Sequence, residues 1–328
     1  MVEFWTGALA LTVFLYVLLD GFDLGVGILF GFTRDQSLRS QMLQSISPVW
    51  DGNETWLVIS AAILFGAFPA VYALLLGAFY LPLILMLCGL ILRGVAFEFR
   101  AHSTMTRGLW DLGFWLGSIT AAFVQGCAVG ALVMGLPNVG GSFTGGPFFW
   151  AQPFPLLCGF GLCIGYALIG GAWLVRKTEG PLRERSYRQT IRLLGAVLIF
   201  LIAVFLFALS LDLRILDRWI ERPALGIFPL IGLAAVGIMV RGFMERRDLL
   251  PLIGGILLFI SAFGTLAASF LPYMIPFTIT YTQAAAPHSS LAFLFWFAGI
   301  VVLPLTLIHA AVNYAVFHGK VRPEEAEY

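Results

Sequence analysis

Charged residues are scarce in this chain. Lys, Arg, Asp and Glu make up 11% of its 328 residues, 60% are hydrophobic, and mean hydropathy is +0.93. Soluble domains carry roughly one quarter charged residues, so a water-soluble core of this size could not hide so much apolar surface. The composition excludes a soluble globular domain and makes the bilayer the solvent. Histidine is scarce too: of His102, His288, His309 and His318, only His309 lies well within an apolar run. No second histidine or methionine is placed to complete a haem ligand pair with it. The four cysteines, Cys88, Cys127, Cys158 and Cys163, all fall in apolar runs without a CxxC pair. They read as packing residues, not a disulfide or metal framework. There is no Walker loop, Rossmann fingerprint or Cys/His metal spacing. The chain is therefore expected to ligate no metal or redox centre itself.

What the chain has in abundance is long apolar runs. Nine of them, near 4–32, 54–76, 78–100, 109–136, 153–176, 190–211, 226–244, 249–272 and 292–318, are long enough for membrane helices. A hydrocarbon core of about 30 Å needs roughly 20 helical residues. The second and third runs join at a short, uncharged stretch near Gly77, and residues 33 to 49 leave room for an interfacial helix. No basic segment precedes the first run, so it is expected to be a retained span rather than a cleaved signal peptide. Basic residues in loops set orientation. Arg34, Arg39, Arg100, Arg107, the cluster from Arg176 to Arg192, Arg241, Arg246, Arg247, Lys320 and Arg322 fall on one side, against Arg214, Arg218 and Arg222 on the other. The amino terminus is expected outside and the carboxyl terminus in the cytoplasm. Nine spans, not eight, make this charge count consistent.

Against this background a few ionisable residues stand out. Asp20 and Asp23 sit inside the first run, amid the glycine-rich stretch from Gly21 to Gly27; WDGNETW (Trp50 to Trp56) brings Asp51 and Glu54. Charges at membrane depth are costly and usually face a protein interior or a wet path. At 1.5 Å per residue, Asp20 lies about 24 Å along the first helix, in its cytoplasmic half. Asp51 and Glu54 fall at the cytoplasmic entrance of the second span and Glu98 near the cytoplasmic end of the third. Arg93 lies more than a turn deeper, with no partner on its own helix. Purely structural roles fit some of these residues. Asp20 and Asp23, three apart, share a helix face; glycines 21, 25, 27 and 31 suit close helix packing. Asp51 fits a helix N-cap, with Glu54 complementing the dipole, and Glu98 with Arg100 fits an interfacial snorkelling pair. Packing is favoured for the glycines and function for Asp23.

At these residues a family resemblance becomes specific. LDGFDLGVG (Leu19 to Gly27), SPVWDGNETWL (Ser47 to Leu57), AFPAVYA (Ala67 to Ala73) and LRGVAFEFR (Leu92 to Arg100) resemble subunit II of the cytochrome bd quinol oxidases, with the cyanide-insensitive branch the closer fit. The match is dense over the first three spans and sparse later. It implies an all-α polytopic membrane protein: nine transmembrane helices in two four-helix bundles, within 1–136 and 153–272, a peripheral ninth helix at 292–318 and a cytoplasmic tail at 319–328. It implies a partner, subunit I, holding two haems b, haem d and the quinol-oxidising loop, in a bacterial inner-membrane complex that oxidises quinol outside and reduces dioxygen to water. A small single-helix subunit accompanies some members, and some hold a quinone in subunit II. By match of motif, Asp23, Asp51 and Glu98 take proton-route roles, while Trp50 and Arg93 take positions that border a quinone or steady the partner's haem propionates. Glu98 stands where some members have aspartate.

Dioxygen reduction to water consumes a proton with each electron, and a buried site needs a relay of titratable groups to deliver them. Carboxyl groups in a low dielectric hold protons more tightly, which suits hopping near neutral pH. The expected route has Asp51 and Glu54 at the mouth, Asp23 and Asp20 inside, and Glu98 with Arg93 tuning them. Two rival readings remain at this point: a proton-coupled secondary transporter, with a faint likeness between Gly21–Gly31 and Gly159–Gly171 as half-repeats, and a scaffold whose acids only fix packing. Transporters often break helices near the midplane, whereas the later spans here are almost free of charge at depth.

Overall fold

A computed structural model describes residues 1–210 and 222–321. Arg214, Arg218, Arg322 and most of the expected tail at 319–328 lie outside the described residues. The chain runs through α1 (Val2–Gly31), α2 (Gln36–Ile46), α3 (Trp50–Ala67), α4 (Pro69–Ala101), α5 (Arg107–Val133), α6 (Pro153–Lys177), α7 (Gly180–Ser210), α8 (Ile227–Glu245) and α9 (Leu249–Phe270). The last helix, α10 (His288–Val316), is π-helical over Phe295–Val302. Two small antiparallel ribbons, Asn138–Val139 with Ser142–Phe143 and Tyr273–Ile275 with Ile279–Thr280, fill loops. Among the described residues, eight helices are long and apolar enough to cross a membrane. The remaining candidate, α3, is 18 residues long and opens with the polar stretch WDGNET.

The join between the second and third runs differs from expectation. It lies at Phe68, not near Gly77, which is inside α4. Proline supplies the reason: Pro69 occupies the first turn of α4, where its missing N–H costs nothing, and it disfavours helical geometry at the residue before it. Phe68 accordingly has φ −135° and ψ 56°. Further on, Pro82 removes a ladder hydrogen bond and crowds the preceding turn, and the backbone leaves helical geometry at Phe79. The interfacial segment forms α2, whose first turn is capped by the Asp35 carboxylate accepting from the backbone N–H groups of Ser37 (2.9 Å) and Leu38 (3.2 Å).

Helix α1 is the hub, packing against α3, α5 and α6; α4 lies on α5, α6 on α7 and α8 on α9. Glycine makes the α1–α6 contact possible. A Cβ at Gly25 would stand 1.8 Å from the Tyr166 carbonyl oxygen, and one at Gly170 would stand 2.5 Å from the Gly25 carbonyl carbon. Leu24, Val26, Phe30, Leu90, Phe114 and Leu174 form the core at this level. A second cluster, with Trp5, Ile63, Phe68, Leu74 and Ile275, closes the other end. Helix α10 is tied at its two ends: Trp5 Nε1 donates to Leu291 O at 3.1 Å, and Asn313 Nδ2 to Pro48 O at 2.8 Å. Beyond it, Lys177 Nζ donates to the carbonyls of Phe317 (2.5 Å) and Gly319 (2.6 Å).

Candidate functional site

One face of α1 carries Thr12, Tyr16, Asp20 and Asp23, spaced by four, four and three residues, and all four are buried. The two carboxylates are 0% and 1% exposed. Arg93, reaching in from α4 and 2% exposed, supplies the counter-charge. Its Nη1 donates to Asp20 Oδ1 at 2.7 Å, and its Nη2 to Glu54 Oε2 on α3, also at 2.7 Å. The base without a partner on its own helix thus bridges two acids on two other helices. Its guanidinium carbon lies 5.6 Å from the centre of the Trp50 ring, and that ring is 5.2 Å from Phe97.

Asp23 stands beside this bridge with a different partner. Asn53 Nδ2 donates to Asp23 Oδ2 at 2.7 Å, and Asn53 Oδ1 accepts from the Tyr314 hydroxyl at 2.8 Å. An asparagine side chain offers donor and acceptor at once, so it links α10 to the buried acid. Farther along α1, Tyr16 Oη accepts from Gln125 Nε2 (2.7 Å), and Gln125 Oε1 accepts from Tyr166 Oη (2.9 Å). A turn beyond, Ser60 Oγ donates to Thr12 Oγ1 at 3.0 Å. Polar groups therefore line α1 well past its acids.

The balance of charge bears on chemistry. Three carboxyl groups (Asp20, Asp23, Glu54) surround one guanidinium, and an uncompensated buried charge is strongly unfavourable. Acids thus outnumber bases three to one at this site. Asp20 Oδ2, Asp23 Oδ1 and Arg93 Nε are buried without a hydrogen-bond partner. The two carboxylate oxygens call for a proton or an internal water, and the Nε–H for an acceptor such as a water. Glu54, whose side chain is 29% exposed, connects the group to the surface.

Not every expected residue joins this group. Asp51 and Glu98 are exposed, and neither makes an ion pair among the described residues. Asp51 lies in the first turn of α3 but does not cap it; the N-cap position is Val49 and has no side-chain bond. Glu98 and Arg100 are not a snorkelling pair. Arg100 is 4% exposed and turns inward to Asp111, its Nε donating to Oδ1 at 2.5 Å. Arg39 Nη1 donates to the other Asp111 oxygen at 2.7 Å, and Gln36 bonds both Asp111 and Arg100. This second cluster pins α2 to α4 and α5. Sequence reasoning missed Asn53, Tyr314, Gln125 and Asp111. Asn53 lies inside the WDGNETW motif, and Asp111 is one turn into α5, so both positions offered a signal.

Among the described residues, no three His, Cys, Asp or Glu side chains are placed to hold a metal ion. His102, His288, His309 and His318 are all exposed.

Comparison with known proteins gives one answer. The structure is similar to a chain in the structure of bd oxidase from Geobacillus thermodenitrificans, with a TM-score of 0.77, 15% identity, and coverage of 96% of this chain and 98% of that one; this likeness concerns the fold. In sequence the chain is 29% identical over 353 residues to cytochrome bd-I ubiquinol oxidase subunit 2 of Escherichia coli K12, covering 95% of this chain and 93% of the relative. It is 28% identical over 345 residues to cytochrome bd ubiquinol oxidase subunit 2 of Bacillus subtilis, covering 98% and 97%. The family model described as cytochrome bd terminal oxidase subunit II matches residues 1–317. The chain belongs to the cytochrome bd terminal oxidase subunit II family.

Proposed function

We propose that this chain is the proton-conducting and assembly subunit of a quinol oxidase in the bacterial inner membrane. Its partner, subunit I, carries the two haems b and haem d, oxidises quinol and reduces dioxygen to water. In this reading α3 is the ninth span. The spans form two groups of four with α10 at the periphery, the amino terminus lies outside, and the carboxyl terminus is cytoplasmic. Family membership favours this reading over a secondary transporter.

The observation that carries it is the set of three acids around Arg93, two of them buried and the third, Glu54, reaching the surface. Asp51, exposed one helical turn from Glu54, gathers protons at the mouth. Glu54 takes them in, Arg93 holds Glu54 and Asp20 at fixed positions, and Asp23, oriented by Asn53, is the next acceptor. Glu98 contributes negative potential at the rim rather than contact. The Trp50 ring beneath Arg93 borders the partner's haem propionates or a bound quinone. When present in the complex, haem supplies the electron transfer and dioxygen chemistry; this chain supplies the protons.

The test is Asp23→Asn in the purified complex. An amide cannot carry the proton, so quinol-driven oxygen consumption is expected to fall at least tenfold, with the haem absorption spectrum unchanged. Full turnover with intact haems would remove Asp23 from the route.

A further inference from the structure

On the far side of α1 from Glu54 and Arg93, a cavity of about 490 Å³ opens between α1, α5, α6 and α7. Its walls are almost wholly apolar, with Ile28 and Phe32 at the end of α1, Ile119 and Phe123 on α5, and Cys163 and Ala167 on α6. Phe160, 61% exposed, stands at the opening. The two exceptions are both on α7: Gln189 and Arg192. None of the lining residues belongs to α3 or α4.

The placement of these polar groups is informative. Arg192 follows the start of α7 by about 18 Å at 1.5 Å per residue and sits where its sequence turns apolar, the level at which lipid headgroups lie. It is exposed and makes no ion pair among the described residues. The surrounding rim is basic. Arg188 is exposed one turn earlier, Arg34 is exposed just past α1, and Arg185 Nη2 donates to the Phe32 carbonyl at 2.6 Å. The nearby acid Glu184 is already committed to Arg183 and Arg246. The site thus has a long apolar floor and an unpaired cation at its mouth, on the Arg-rich side of the chain.

We propose that this groove binds one anionic glycerophospholipid, with an acyl chain lying on α5 and α6 and its phosphate held by Arg192 and Gln189. Basic pockets between membrane helices on the cytoplasmic side suit such headgroups, and the cavity volume falls within the range of small-ligand sites. A free phosphate would leave the apolar floor uncovered. A quinone would leave Arg192 without an anion.

The test uses the purified, delipidated complex and phosphatidylglycerol carrying a photoactivatable acyl chain. Crosslinks are expected on residues 119–123 and 160–167. Unlabelled phosphatidylglycerol should compete at least about tenfold better than phosphatidylcholine. Arg192→Glu, an exposed change that leaves the core intact, is expected to abolish that preference, and Arg192→Lys to retain it. Ile164→Trp, which fills the apolar floor, should reduce crosslinking of the labelled phosphatidylglycerol. Equal competition by the two lipids, a preference that survives in Arg192→Glu, displacement by inorganic phosphate, or a quinone occupying the groove by mass would each overturn the assignment.

Discussion

Replacing Arg93 by leucine would leave Asp20 wholly buried with no counter-charge. The two groups are 2% and 0% exposed and meet at 2.7 Å. At that distance, with an effective dielectric of about 20, their attraction is roughly 6 kcal/mol. Desolvation offsets much of this, and removing one partner of a buried pair costs about 3–5 kcal/mol. At roughly 2 °C per kcal/mol for a chain of this size, scanning calorimetry of the purified complex should record a Tm lower by about 6–10 °C. Glu54 needs no rescue because it reaches the surface. Adding Asp20→Asn removes the stranded charge, so the double variant should recover part of the loss, with a coupling energy of about 2–3 kcal/mol. A single variant within a degree of the parent, or a double variant no better than the sum of its parts, would refute the buried-pair argument.

Three further outcomes follow from geometry. Tyr314→Phe removes the hydroxyl donor to Asn53, a loss of about 1 kcal/mol, and should slow oxygen consumption about fivefold, less than Asp23→Asn does. Gly25→Ala places a methyl group 1.8 Å from the Tyr166 carbonyl; overpacking costs about 1–3 kcal/mol, read as a lower Tm and a lower yield of assembled complex. Asp248, in the turn before α9, is the third case. Burial would raise its carboxyl, but hydrogen bonds from Arg183, Lys320 and Tyr187 outweigh it and bring it down from 3.8 to about 2. Its contribution is therefore fully present above about pH 4 and lost as pH falls toward 2. The difference in Tm between the parent and Asp248→Asn should be flat above pH 5 and shrink below pH 4.

How far the site could be read in advance depended on the range of the interactions. Asp20, Asp23, Glu54 and Arg93 announced themselves because a charge in an apolar run is conspicuous, and their gathering at one end followed from counting along three helices. The partners could not be counted out: Tyr314 meets Asn53 across 261 positions, and Gln125 meets Tyr16 across 109. Such contacts depend on helix rotation, which apolar periodicity leaves open when a helix is hydrophobic all round. Glu98 and Asp51 illustrate the converse. Both lie near the ends of their helices, Asp51 at the start of α3 and Glu98 near the end of α4, yet both are exposed. The helix boundary at Phe68 was within reach, since Pro69 marks it more strongly than the glycine at 77.

The brevity of α3 has a consequence for the surrounding lipid. Eighteen residues span about 27 Å, and the first five contribute polar surface, so the stretch able to match acyl chains is well short of the usual core thickness of about 30 Å. As the ninth span proposed above, α3 would require the bilayer to thin beside Trp50 or water to dip inward to meet it. Either way, aqueous solvent would reach a depth elsewhere reserved for hydrocarbon. In that role a short helix would bring bulk solvent to the threshold of a charged interior.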